Sequence, residues 1–137
     1  MEGVQRRATK LLSGLQDMSY ENRLKTLKQQ SLKSRRLRDN LIQTYKILHQ
    51  IDDIDCTHFF KLVSDVDCRN NITRNSYLKL YHKPNRTNKS LYSFSHRVST
   101  SWNSLPEHVK RAPDTNSFKT LLDKENIMIE SWYHFDT

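Results

Sequence analysis

The stretch Tyr92-Ser93-Phe94-Ser95-His96-Arg97-Val98-Ser99-Thr100-Ser101-Trp102-Asn103-Ser104-Leu105-Pro106 decides how this chain folds. As a helix it brings Phe94, Val98, Trp102 and Leu105 onto one continuous apolar face, at i, i+4, i+8 and i+11. Pro106 cannot continue the hydrogen-bond ladder and pushes Leu105 out of the helical region, so the helix is predicted to stop there. One of only two tryptophans sits in this segment of an otherwise polar sequence. It is therefore the expected centre of a small core.

Working outward, the 137 residues are 35% hydrophobic with a mean hydropathy of −0.85, which leaves a thin core. Two glycines and three prolines are too few for a turn-rich β-sandwich or barrel. The expected fold is mainly α: an N-terminal three-helix unit, a small β-hairpin and two C-terminal helices. The predicted divisions are a basic helical unit at 1–50, an acidic and polar connection at 51–75, a hairpin with helices around Trp102 at 76–124, and a tail at 125–137.

In the first division, Val4, Ala8, Leu11, Leu12 and Leu15 share one helical face, and Gly14 offers a left-handed stop. Ser19 is placed to cap a second helix whose stripe is Tyr20, Leu24 and Leu27, with Arg23, Lys25 and Lys28 pointing away. Ser31 is placed to cap the longest helix, residues 32–50, on which Leu37, Leu41, Tyr45 and Leu48 recur at helical spacing. In the second half, the partial alternation from Tyr77 to Lys83 predicts a short strand, with Leu91 and Tyr92 pairing back on it. Asp114 or Thr115 is placed to cap a last helix carrying Phe118, Leu121 and Leu122. The predicted core comprises Leu41, Tyr45, Leu48, Phe94, Val98, Trp102, Leu105 and Phe118.

Charge is unevenly spread. Residues 1–50 hold eleven Lys/Arg against four Asp/Glu; residues 51–68 invert to one against five. Residues 69–111 return to nine against one. Two basic blocks around an acidic segment suit a polyanion, and a solvated basic helix face accounts for the same pattern. Lys33, Arg35, Arg36 and Arg38 crowd the first turns of the long helix. There they oppose its dipole at a cost of about 0.3 kcal/mol or more each, unless an anion lies nearby. Lys79, Arg86, Lys89 and Arg97 surround Tyr77 and Tyr92. Cations beside aromatic rings suit phosphates and unpaired bases, and tyrosines at the edge of a core are the competing account.

Catalytic patterns are scarce. Asp52-Asp53 resembles a metal-binding carboxylate pair, yet it follows a helix with no upstream strand to supply a third acid, so it reads as a solvated loop. Cys56, His58, Cys68 and His82 do not fit zinc-ligand spacing. His96 and His108 lack the neighbouring acids of a catalytic dyad. No nucleophile elbow or phosphate-binding glycine loop is present. No metal, cofactor or small-molecule substrate is expected. The N-terminus lacks an apolar signal region, and no stretch is apolar enough to span a membrane. The expectation is an intracellular protein, nuclear or cytoplasmic and not secreted. Its cysteines would then be free thiols, and the sequons at Asn71, Asn85 and Asn88 unmodified.

The motifs, in order, resemble the C-terminal, post-palm region of the reverse transcriptase of non-LTR (LINE-type, jockey/CR1-like) retrotransposons. The resemblance is carried by Gln5-Arg6-Arg7-Ala8-Thr9-Lys10, Gly14-Leu15, Tyr20-Glu21, Arg23-Leu24, Leu27, Ser31-Leu32, Arg35-Arg36, Arg38-Asp39, Leu41-Ile42 and Tyr45-Lys46-Ile47-Leu48. It continues through Leu78-Lys79-Leu80, Arg86-Thr87-Asn88, Phe94-Ser95, Arg97-Val98, Trp102-Asn103-Ser104-Leu105-Pro106 and Asn116-Ser117-Phe118-Lys119, covering about residues 4–124. Ser13, Gln30 and Asn40 depart from the pattern. The resemblance implies a parent RNA-directed DNA polymerase whose fingers, palm and Asp-Asp metal site are not in this chain, so no enzyme activity is expected of it alone. It implies that the first helices correspond to the end of the thumb, and that Arg6, Arg7, Lys10, Arg35, Arg36 and Arg38 contact phosphates. RNA or DNA is the expected partner, with the missing polymerase domain as a further one. The alternative is a structural or protein-interaction segment, or a pseudogene remnant, that binds no nucleic acid.

Overall fold

The computed structural model describes residues 2–66, 77–81 and 93–132, the stretch 126–132 as backbone only. The chain is mainly helical, as its periodicities predict, and divides into two compact units, Met1–Asp39 and Asn40–Thr137. The division falls inside the longest helix rather than after it, because that helix changes character part-way.

Unit 1 holds α1 (Glu2–Lys10), α2 (Tyr20–Thr26) and the first turns of α3 (Leu32–Leu48). Gly14, at φ +81, turns the chain between α1 and α2 where a Cβ would be strained. Ser19 caps α2 by accepting from the Asn22 N–H, and Ser31 caps α3 by accepting from the Ser34 N–H. Between them α2 ends on Lys28 in the left-handed region (φ 51), with the Gln29 N–H reaching back to the Leu24 carbonyl at 2.9 Å.

The expected apolar face of α1 is not what packs. Val4 is 63% exposed and Leu11 82%, with Ala8 and Leu12 also exposed. The helix is held instead by its polar stripe Glu2, Gln5 and Thr9, at i, i+3 and i+7. Arg23, expected to point away, is buried (5% exposed) and is the reason. Its guanidinium donates to the Met18 carbonyl at 2.6 Å, the Thr9 hydroxyl at 3.3 Å and the Arg6 carbonyl at 3.4 Å. A buried guanidinium needs several acceptors, and the polar side of α1 supplies them.

Unit 2 is built on the opposite principle. From Leu41 onward α3 buries Leu41, Ile42, Tyr45 and Ile47, while Leu48 is half-buried. After the 3₁₀ turn Cys56–His58 and α4 (Val63–Val66) come α5 (Phe94–Ser104), α6 (Glu107–Lys110) and α7 (Thr115–Trp132). Trp102 is fully buried among Val98, Leu105, Val109, Phe118 and Leu122, all at 2% exposure or less; Phe94 is half-buried. The Tyr45 ring stacks on Phe118 at 4.3 Å, and its hydroxyl donates to the Ala112 carbonyl at 2.7 Å. Leu105 leaves the helical region (ψ 140) before Pro106, as predicted, and Asp114 caps α7 through the Asn116 and Ser117 N–H groups. The last helix runs to Trp132, past the point where the tail was expected.

Among the described residues no strand forms, and residues 77–81 show why. The Val63 N–H donates to the Lys79 carbonyl and the Tyr81 N–H to the Lys61 carbonyl, giving one isolated antiparallel bridge between Leu62 and Leu80. On its other edge, Leu80 is paired by a side chain: the Asn103 amide accepts from its N–H and donates to its carbonyl, both at 2.9 Å. Trp102 Nε1 donates to the Leu78 carbonyl at 2.9 Å. These bonds occupy the Leu78, Lys79 and Leu80 carbonyls and the Leu80 and Tyr81 N–H groups. The expected return arm, Leu91 and Tyr92, lies outside the described residues, as do Pro84–Ser90 and most of the connection from Asp65 to Ser76.

Candidate nucleic-acid interface

Residues 1–39 carry ten Lys/Arg against four Asp/Glu, whereas residues 40–137 carry thirteen against eleven. The cationic excess therefore belongs mostly to unit 1. On α1, Arg6, Arg7 and Lys10 are exposed; the Arg6 guanidinium lies 5.1 Å from the Tyr20 ring centroid, a cation–π distance. On α3, Lys33, Arg35 and Arg36 are exposed and Arg38 is half-buried.

The helix dipole that these cations oppose is compensated from another helix. Glu2 Oε2 accepts from the Lys33 N–H at 3.2 Å, and Gln5 Oε1 accepts from the Leu32 N–H at 3.2 Å. A carboxylate from α1 thus sits on the positive end of α3, where negative charge is favourable. This is the anion that the charge pattern calls for, and it was not legible because Glu2 lies 31 residues away in sequence. The same carboxylate stands 2.7 Å from the Tyr20 hydroxyl, which also lies 2.7 Å from Gln5 Oε1. Burial first, and then the Glu2 hydrogen bond and charge, push the Tyr20 phenol up to about 12.

α1 and the start of α3 are thereby joined through Glu2, Gln5 and Gln30, whose carbonyl accepts from Gln5 Nε2 at 3.2 Å. Beside this joint, Lys28, Gln29, Gln30, Arg35, Arg38 and Asp39 line an open concavity of about 400 Å³. Arg35, Arg38 and Asp39 reach it from one helix face, at i, i+3 and i+4. Lys28, Gln29, Gln30 and Asp39 were not among the predicted site residues. Their available signal is a short polar loop closed by the Ser31 cap, facing a basic helix turn.

Of the other predicted cations, Lys79 and Arg97 are exposed in unit 2, and Arg86 and Lys89 lie outside the described residues. Asp52 and Asp53 follow α3 in a bend, where Asp52 accepts from the Gln43 amide at 2.9 Å. Cys68 and His82 lie outside the described residues; among those described, no three His, Cys, Asp or Glu side chains gather as metal ligands would. Among the described residues no helix is long and apolar enough to cross a membrane. No family model, curated protein or solved structure matches the chain.

Proposed function

We propose that this chain is a non-catalytic, post-palm segment of a non-LTR retrotransposon reverse transcriptase, and that it binds the RNA or DNA backbone through unit 1. The observation that supports this is the first turns of α3. They carry Lys33, Arg35, Arg36 and Arg38 against the helix dipole, and Glu2 from another helix compensates them. Glu2 already answers the helix dipole, so it is the density of exposed cations on α1 and the start of α3 that points to an anionic partner. The motif resemblance assigns the same residues to phosphate contact.

Fluorescence anisotropy of the whole chain with a labelled 20-nucleotide strand tests this. Affinity falls steeply as salt rises, and replacing Arg35, Arg36 and Arg38 together by Ala lowers the salt slope by about 2. Absence of binding at low salt, or an unchanged slope, overturns the proposal. One observation favours a protein-interaction reading instead: Val4 on α1, and Leu11 and Leu12 in the turn after it, present apolar side chains to solvent. That reading takes over if the chain binds no nucleic acid at low salt.

A further inference from the structure

We infer that the concavity between the α2–α3 loop and α3 receives one unpaired nucleotide and prefers a base with an exocyclic amino group, cytosine over uracil. The inference rests on the nucleic-acid reading of unit 1 and adds where a base enters and which edge is read.

The dimensions come first. About 400 Å³ lies at the small end of ligand clefts, which span about 300–1,000 Å³. That volume is large enough to take a single nucleotide. The backbone of both walls is held before any ligand arrives. On the loop side, Gln29 N–H is bonded to the Leu24 carbonyl, Lys28 N–H to the Lys25 carbonyl and the Gln30 carbonyl to Gln5, while Ser31 caps α3. The opposite wall is a helix. A site held on both sides in this way loses little freedom when it binds.

The lining then divides by chemistry. Lys28, Arg35 and Arg38 are donors only and suit phosphate oxygens, the arginines as planar forks. Phosphate contacts fix position without reading sequence. Gln29 and Gln30 each offer an amide donor and acceptor. Asp39 is the odd member, because a carboxylate among cations weakens phosphate binding unless it meets a donor from the ligand. The donor that nucleic acids offer to Asp or Glu is a base amino group, in particular cytosine N4. Uracil has an acceptor at the same place. Asp39 would therefore hold cytosine and repel uracil, while the three cations hold the strand in either case.

The experiment compares fluorescein-labelled oligocytidine and oligouridine 12-mers, of equal length and charge, by anisotropy with the full chain at neutral pH. Oligocytidine is expected to bind about fivefold more tightly, the low end of the discrimination that one base contact gives. Asp39→Asn, an exposed and nearly isosteric change whose fold is checked by circular dichroism, should bring the two affinities together. Lys28→Ala should weaken both oligomers alike and leave their ratio unchanged. Equal, salt-sensitive affinities for the two strands would overturn the base-reading site and leave the backbone-binding proposal standing. So would an Asp39→Asn chain that binds both more tightly by the same factor, since Asp39 would then be only a repelling charge. No binding of either strand would overturn both.

Discussion

Residues 2–39 and residues 40–125 hold their helices together with different chemistry. In unit 1 many of the contacts between helices are polar, with Arg23 on three oxygens, Glu2 and Gln5 on the first N–H groups of α3, and Tyr20 between them; Leu24 is buried, while Val4 and Leu11 stay in water. In unit 2 they are apolar, with Trp102, Phe118 and Tyr45 packed in one cluster and backbone ends satisfied by Asn103 and Asp114. A single helix, α3, passes from one regime to the other at Asn40. A polar latch tolerates a highly charged surface because its strength does not depend on excluding water from a broad face. That is the physical sense in which unit 1 can carry the cationic excess and unit 2 cannot so readily.

The sharpest way to break the contrast is at the apolar end. Trp102→Ala should cost about 3–5 kcal/mol, a cavity in a fully packed core. Loss of structure is read by circular dichroism during urea denaturation. Amides of α1 and α2 should keep their hydrogen-exchange protection in that variant. If they lose it together with unit 2, the two regimes are one cooperative structure. The reciprocal change is Arg23→Ala, which strands the Met18 carbonyl and removes one of the bonds at the Arg6 carbonyl and the Thr9 hydroxyl. It should cost about 2–3 kcal/mol and remove protection in α1 and α2, and Arg23→Lys should rescue little because an ammonium lacks the fork.

A smaller effect separates the units by pH. Lys110 is fully buried in unit 2, its ammonium 3.5 Å from the Asn103 carbonyl. Burial, reinforced by Lys79 and partly offset by Glu107, holds its pKa below the ordinary lysine value of 10.5. The unfolded chain then binds more protons than the folded one, so unit 2 gains stability as pH rises from the folded pKa towards 10.5. Lys110→Met should remove that gain and raise stability at neutral pH by about 1 kcal/mol. Tyr20 works with the opposite sign in unit 1. It stays protonated up to about 12, so its contribution is intact below the ordinary phenol value near 10 and is lost as pH rises from there through about 12. Tyr20→Phe should flatten the alkaline loss of α1–α2 protection.

Much of unit 2 was legible in the sequence. The Phe94–Pro106 stretch announced its helix, its stop and its buried face, and Asp114 its cap, because these are local signals. What was not legible depends on partners far along the chain. Asn103 pairs with the Leu80 main chain from 23 residues away, a side-chain partner that alternation around Leu80 does not announce. Lys110 gives no sign of burial in its own neighbourhood. Unit 1 was misread more deeply, since Arg23 binds main-chain carbonyls that carry no sequence signature, and their demand turned the apolar face of α1 outward. For the candidate site, Arg35 and Arg38 stood out by charge. Lys28, Gln29 and Gln30 acquired meaning only once the left-handed Lys28 folded the loop against α3.

The measurement that bears most directly on the central claim compares two triple variants of the full chain by the salt dependence of strand binding. One replaces Arg35, Arg36 and Arg38 with Ala; the other replaces the exposed unit 2 cations Lys61, Lys79 and Arg97, removing the same charge. The first should lower the slope of log affinity against log salt by about 2 and the second should leave it nearly unchanged. Equal losses in both variants would contradict the assignment of binding to unit 1.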